Sequence, residues 1–130
     1  ALLNAKSVAY SASASGVYLS TELFPKMGIS EQMDKTARKI FSERVAAVVA
    51  REEAELGFQQ VSELLSIPGV DFIGELPPEA QKTVLFSAGI TKNVSNLNAS
   101  RDLIAFLASP QAAPTIQKAG LKPVLPALPW

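Results

Sequence analysis

The chain has 130 residues, 48% of them hydrophobic and 18% charged, a balance that suits one folded domain or part of a larger one and excludes intrinsic disorder. Its 12 Lys and Arg match 12 Asp and Glu, so no basic excess points to a nucleic-acid or anionic-membrane surface. With neither Cys nor His, it has no disulfide, thiolate metal site, thiol nucleophile or Ser-His-Asp triad, and almost no means of binding a transition metal. No apolar run reaches the ~20 residues that span a bilayer, and Ala1 to Lys6 lacks the apolar stretch of a signal peptide.

The first predicted element is a strand at Val8–Tyr10, followed by the small-residue stretch Ser11-Ala12-Ser13-Ala14-Ser15-Gly16. Val17, Tyr18, Leu19, Leu23 and Phe24 then repeat at helical spacing, and Gly28 suits the left-handed position that ends a helix. A short strand is possible at Arg38–Phe41. Ser42 is the expected N-cap of the next helix, whose apolar face is Val45, Ala46, Val48 and Val49. Leu56–Phe58 reads as a strand, Gln60 to Ser66 as a short helix, and Val70–Ile73 as a third strand.

Thr83 to Ile90, rich in β-branched and apolar residues, is the strongest strand candidate. A helix carrying Leu103, Ile104, Phe106 and Leu107 follows, with Asn98 as its expected cap. Ser109-Pro110 is expected to start another helix, which Gly120 stops. Strands that alternate with helices imply an α/β fold with a mainly parallel sheet.

In such a fold, ligands sit beyond the carboxyl ends of the strands, where helix N-termini offer free amides and a partial positive charge. That logic singles out Ser13, Ser15 and Gly16 in the first strand-to-helix loop and Ser42 at the second. Gln59 and Gln60 follow a strand, and either amide can donate to an oxygen. The plain alternative is a set of ordinary polar loops and self-satisfying caps. Glu52, Glu53 and Glu55 lack the spacing of a metal site or a carboxylate pair and are read as solvent-facing.

Several runs, in this order, resemble the second half of periplasmic molybdate-type solute-binding proteins: Ser15-Gly16-Val17-Tyr18, Val49 through Gln60, Gly74-Glu75-Leu76-Pro77, Phe86 through Ile90, and Ala105 through Ala113. The resemblance covers nearly the whole chain. It implies a type II periplasmic binding fold, two-lobed, in a receptor that serves the membrane permease of an ABC importer in the periplasm. A small anionic ligand such as molybdate would be held by backbone amides and Ser hydroxyls.

Matched position by position, Ser15 falls in the family's ligand-contacting loop and Ser42 at the helix start that gives an amide. Gln60 stands where molybdate binders carry Tyr, a departure that bears on the ligand. On this reading residues 1–84 form most of the second lobe, 85–120 the return crossing and terminal helices of the first, and 121–130 a Pro-rich extended tail. Such a C-terminal part, lacking partner strands, is expected to self-associate. The expected function is oxyanion capture for import; the alternatives are a receptor of the same fold for a small organic acid and a ligand-sensing regulatory module. No cofactor, metal, catalytic residue, nucleic-acid partner or enzymatic activity is expected.

Overall fold

A computed structural model of the protein describes residues 2–124, which divide into two compact units at Lys82 and Thr83. After a 3-10 turn at Leu2–Asn4, the first unit runs β1 (Val8–Ser11), α1 (Ala14–Tyr18), a π-helical turn (Leu19–Leu23), α2 (Phe24–Lys26) and α3 (Ser30–Thr36). It continues through β2 (Ala37–Ile40), α4 (Val45–Ala50), β3 (Leu56–Phe58) and α5 (Val61–Leu64). The sheet has the order β2-β1-β3 and is wholly parallel, with Val8 opposite both Ala37 and Leu56. This is the α/β architecture with a parallel sheet that the alternation of elements predicts.

The central strand is short and buried, and its side chains alternate between two faces. Ala9 packs with Val45, Val48 and Ala54 under α4. Tyr10 lies on the other face, against Leu19, Leu23, Phe24 and Met33. Its ring meets that of Phe24 edge to face, with centroids 6.0 Å apart. Gly57 lets α4 settle onto β3: a Cβ there would lie 2.8 Å from methyls of both Val45 and Val49.

α1, the π turn and α2 follow one another without a break. Pro25 cannot donate to the carbonyl one turn back, and the wider turn precedes it. Ser20 and Thr21 donate from their hydroxyls to the carbonyls of Gly16 and Val17, at 3.0 and 2.7 Å. Gly28 ends α2 at φ +68°, as its sequence position implies.

Three expectations of regular structure fail. Val70–Ile73 forms no strand. Its stretch of chain leads instead into Leu76 and Ala80, which pack on the α1–α3 cluster, and Tyr18 donates its hydroxyl to the Ala80 carbonyl at 2.8 Å. Thr83 to Ile90, in the second unit, is also without a ladder, because a strand exists only by pairing and the sheet among the described residues has three members. Leu85 and Phe86 consequently stay exposed. Ser109-Pro110 opens turns rather than a helix, and α7 (Ala113–Lys118) starts later, with Pro114 in its first turn.

The second unit otherwise holds α6 (Leu97–Leu107) and α7. Asn96 rather than Asn98 caps α6, accepting from the Ala99 amide at 3.0 Å. Leu103, Phe106 and Leu107 form an apolar face on α6, all three exposed, and α6 contains no buried residue. The final part of the expected extended tail, residues 125–130, lies outside the described residues.

Candidate functional site

Because β1, β2 and β3 are parallel, their strand-to-helix loops all emerge at one edge of the sheet. The loop after β1 leads through Ser13 into α1, the loop after β2 contains Ser42, and the loop after β3 is Gln59-Gln60. The topology thus brings Ser13, Ser15, Gly16, Ser42 and Gln60 to the same carboxyl edge. The Ala12 amide donates to the Ile40 carbonyl at 2.8 Å, which fixes the start of the Ser42 loop beside the serine loop.

The serine loop is a hydroxyl cluster. Ser11 Oγ lies 2.6 Å from Ser13 Oγ and 3.0 Å from Ser15 Oγ, and the latter two are 3.3 Å apart. Ser11 is 3% exposed, while Ser13 faces solvent. A hydroxyl donates once and accepts twice, so three mutual bonds engage all three protons, and Ser13 or Ser15 donates to a ligand only by giving up its bond within the cluster. The N-cap of α1, Ser13, makes no side-chain capping bond, so the amides of the helix's first turn can meet another acceptor. Gly16 fulfils a packing role here: a Cβ would fall 1.5 Å from the Ser11 carbonyl oxygen, so only glycine lets α1 start this close to β1.

The second loop differs from its expected form. α4 begins at Val45 with Arg44 as its extended N-cap, and Ser42 stands two residues outside it, exposed. The oxygen that satisfies the helix comes from Gln59, whose Oε1 accepts from the Val45 amide at 2.8 Å. A side chain from β3's end therefore displaces Ser42 from the capping role. Gln60 in turn is the N-cap of α5, and its carbonyl accepts from the amides of Glu63 and Leu64.

An ion-pair lattice braces the same loop. Arg51 donates to both oxygens of Glu43, at 2.8 and 2.9 Å, and to Glu53 at 2.7 Å; Arg38 lies 3.6 Å from Glu53. The hydrogen bonds from Arg51 hold the carboxyls of Glu43 and Glu53 below the usual carboxylate range. Glu55 accepts from the Lys6 amide at 2.8 Å. The acidic run thus serves the surface, and no group of three or more metal-ligating side chains lies together among the described residues.

A depression of about 340 Å³ occupies the opposite, amino edge, lined by Lys6, Ser7, Lys35, Arg38 and Glu53 among others. It faces away from the helix N-termini, and Glu53 already engages its Arg38. The carboxyl edge has the hydroxyls, open amides and converging loops that a ligand needs.

Residues 1–122 match the family model described as bacterial extracellular solute-binding protein. A curated protein from Pseudomonas sp named aconitate isomerase is 52% identical over 123 residues, which are 95% of this chain and 47% of that protein. The chain thus spans about half the length of the curated relative it matches. No solved structure matches at a significant level. The relative's name is that of an enzyme, and it overturns the expectation, drawn from the missing His and Cys, that no enzymatic activity is involved. The missing His and Cys did not exclude such activity, because Lys, Tyr, Ser and carboxylates can also move protons. No helix among the described residues is long and apolar enough to cross a membrane. Matched over residues 1–122, the chain belongs to the family of bacterial extracellular solute-binding proteins.

Proposed function

We propose that the protein binds a small organic acid of the aconitate class at the carboxyl edge of its parallel sheet. The observation that carries this is the emergence of three strand-to-helix loops at one edge of the parallel sheet, with the Ser11–Ser13–Ser15 hydroxyl cluster in the central one. The name of the 52% identical relative favours an organic acid over molybdate and other inorganic oxyanions. On binding, Ser13 and Ser15 turn their hydroxyl protons from the cluster to carboxylate oxygens, Gly16 allows the close helix start, and Ser42 and Gln60 donate from the neighbouring loops.

In organisation, residues 1–84 form most of one lobe and 85–120 the crossing and terminal helices of the other. The boundary between compact units at Lys82 and Thr83 supports this. As a solute-binding protein it works outside the cytoplasmic membrane, and its partner is the membrane permease of an importer.

A second reading is isomerisation of the bound acid, favoured by the relative's name. Aconitate is a propene tricarboxylate, and moving its double bond requires a proton to leave and return beside a carboxylate. This chain has Lys, Tyr, Ser and carboxylate side chains to offer for that transfer, and neither His nor Cys.

Calorimetric titration of the protein in its full natural length with aconitate, molybdate and sulfate tests the binding reading; proton NMR of aconitate incubated with it tests the second. Saturable heat with aconitate and none with molybdate is expected. Binding of molybdate alone would refute the organic-acid assignment.

A further inference from the structure

From the charges at the carboxyl edge we infer that Arg44 anchors a carboxylate of the ligand and, with Gln59, sets the preference for a polyanionic organic acid. The inference rests on the organic-acid reading above. Aconitate carries three carboxylates, and hydroxyls and helix amides provide no full positive charge against them. A carboxylate drawn out of water needs a paired cation or several strong donors.

The three loops that meet at this edge, residues 12–13, 41–44 and 59–60, contain two charged side chains, Glu43 and Arg44. Glu43 is neutralised bidentately by Arg51. Arg44 makes no ion pair among the described residues. One corner of its guanidinium is fixed: Nη1 donates to Ser66 Oγ at 2.7 Å, and that hydroxyl donates to the Glu63 carbonyl at 3.1 Å. Among the described residues the Nε and Nη2 edge makes no hydrogen bond, and a planar two-donor edge is what a carboxylate accepts best. The side chain is exposed, so it is open to an approaching anion.

Gln59 completes the pair. Its Oε1 is committed to the Val45 amide, the residue after Arg44, so its orientation is set and its Nε2 protons remain to donate. The cation and the amide are thus tied to the same helix start. That helix start follows a loop which begins where Ile40 accepts from Ala12, beside the serine cluster.

Calorimetry on the protein in its full natural length compares wild type, Arg44→Lys, Arg44→Gln and Ser66→Ala, titrated with aconitate and with acetate. Arg44→Gln is expected to weaken aconitate binding about 10- to 100-fold, the worth of a charge-assisted contact. Arg44→Lys keeps the charge without the fork and is expected to lie between, as is Ser66→Ala, which frees the anchored corner. Because Arg44 is exposed, all variants are expected to keep the wild-type melting temperature. Arg44→Gln binding aconitate within twofold of wild type would overturn the Arg44 assignment and leave the organic-acid reading standing. A wild type that binds no aconitate would overturn both.

Discussion

Replacing Gly16 with Ala asks whether β1 and α1 approach as closely as described. In an open helix start the change would be favourable, because Ala exceeds Gly in helix propensity by about 1 kcal/mol. Here the new Cβ would sit 1.5 Å from the Ser11 carbonyl oxygen and 3.0 Å from a Tyr10 ring carbon. The obstructing atom is backbone in a buried central strand, so no rotamer change relieves it. Real Cβ atoms essentially never come within 3.0 Å of another heavy atom, so α1 must retreat by roughly 1.5 Å at least. Overpacking of this kind costs about 1–3 kcal/mol and more where the backbone must move. We expect Gly16→Ala to lose about 3 kcal/mol, read as a lower midpoint in urea at unchanged slope. The predicted sign is therefore opposite to the propensity effect. A variant as stable as wild type, or more so, would refute the close packing of α1 on β1.

Gly57→Ala should cost about 1–3 kcal/mol in the same assay, and adding Val49→Ala, which removes one of the two obstructing methyls, should recover part of it. Met33→Ala, at a nearly fully buried site, should cost about 2–5 kcal/mol. Glu43 and Glu53 have folded pKa values lowered below 4.5 by Arg51, so the stability they contribute is present above pH ~4.5 and is lost as pH falls through their folded values. The gap in urea midpoint between wild type and Arg51→Ala should accordingly shrink between pH 6 and pH 3; a gap independent of pH would refute the lattice. The isolated 130-residue chain should self-associate through Leu85, Phe86, Leu103, Phe106 and Leu107, which light scattering after size exclusion measures, a monodisperse monomer being the refuting result.

The sequence marks Val8–Tyr10 and Leu56–Phe58 correctly, where β-prone runs sit between clear turn signals and a parallel partner exists, and the strand expected at Arg38–Phe41 forms one residue earlier as β2. Thr83 to Ile90 has stronger local preference than either and forms no ladder. Strand preference reports how a side chain fits a pleated surface, and whether a neighbour is there to pair with is a property of the whole fold. The candidate site was legible to the same extent. Serines before a helix advertise Ser13 and Ser15, and the parallel topology then carries Ser42 and Gln60 to the same edge. Ser11 was hidden because it reads as the end of a strand, although its alternation with Ala9 already turns it inward. Gln59 was a candidate donor, but its capping role and the place of Arg44 were hidden because the α4 cap is non-local: 14 residues separate Val45 from the oxygen that satisfies it. No spacing rule along the chain reveals such a partner.

The middle strand of this sheet is made before both of its partners, which has a consequence for biosynthesis. β1 meets β2 on one side and β3 on the other, and Glu55, which donates to Ser7 at the start of this pairing, lies 48 residues downstream. At roughly 5–20 residues per second, a ribosome takes about 2–10 s to make that stretch. During that interval Val8 and Ala9, nearly inaccessible in the finished molecule, have at best one flank covered. β2 arrives first, so a two-stranded β1–β2 unit backed by α1–α3 is the earliest intermediate that can hide them. α4 and β3 then close the remaining face together, since Gly57 admits the strand only against Val45 and Val49. The nascent chain thus exposes one sticky ribbon for seconds, and holding chaperones have that window in which to act.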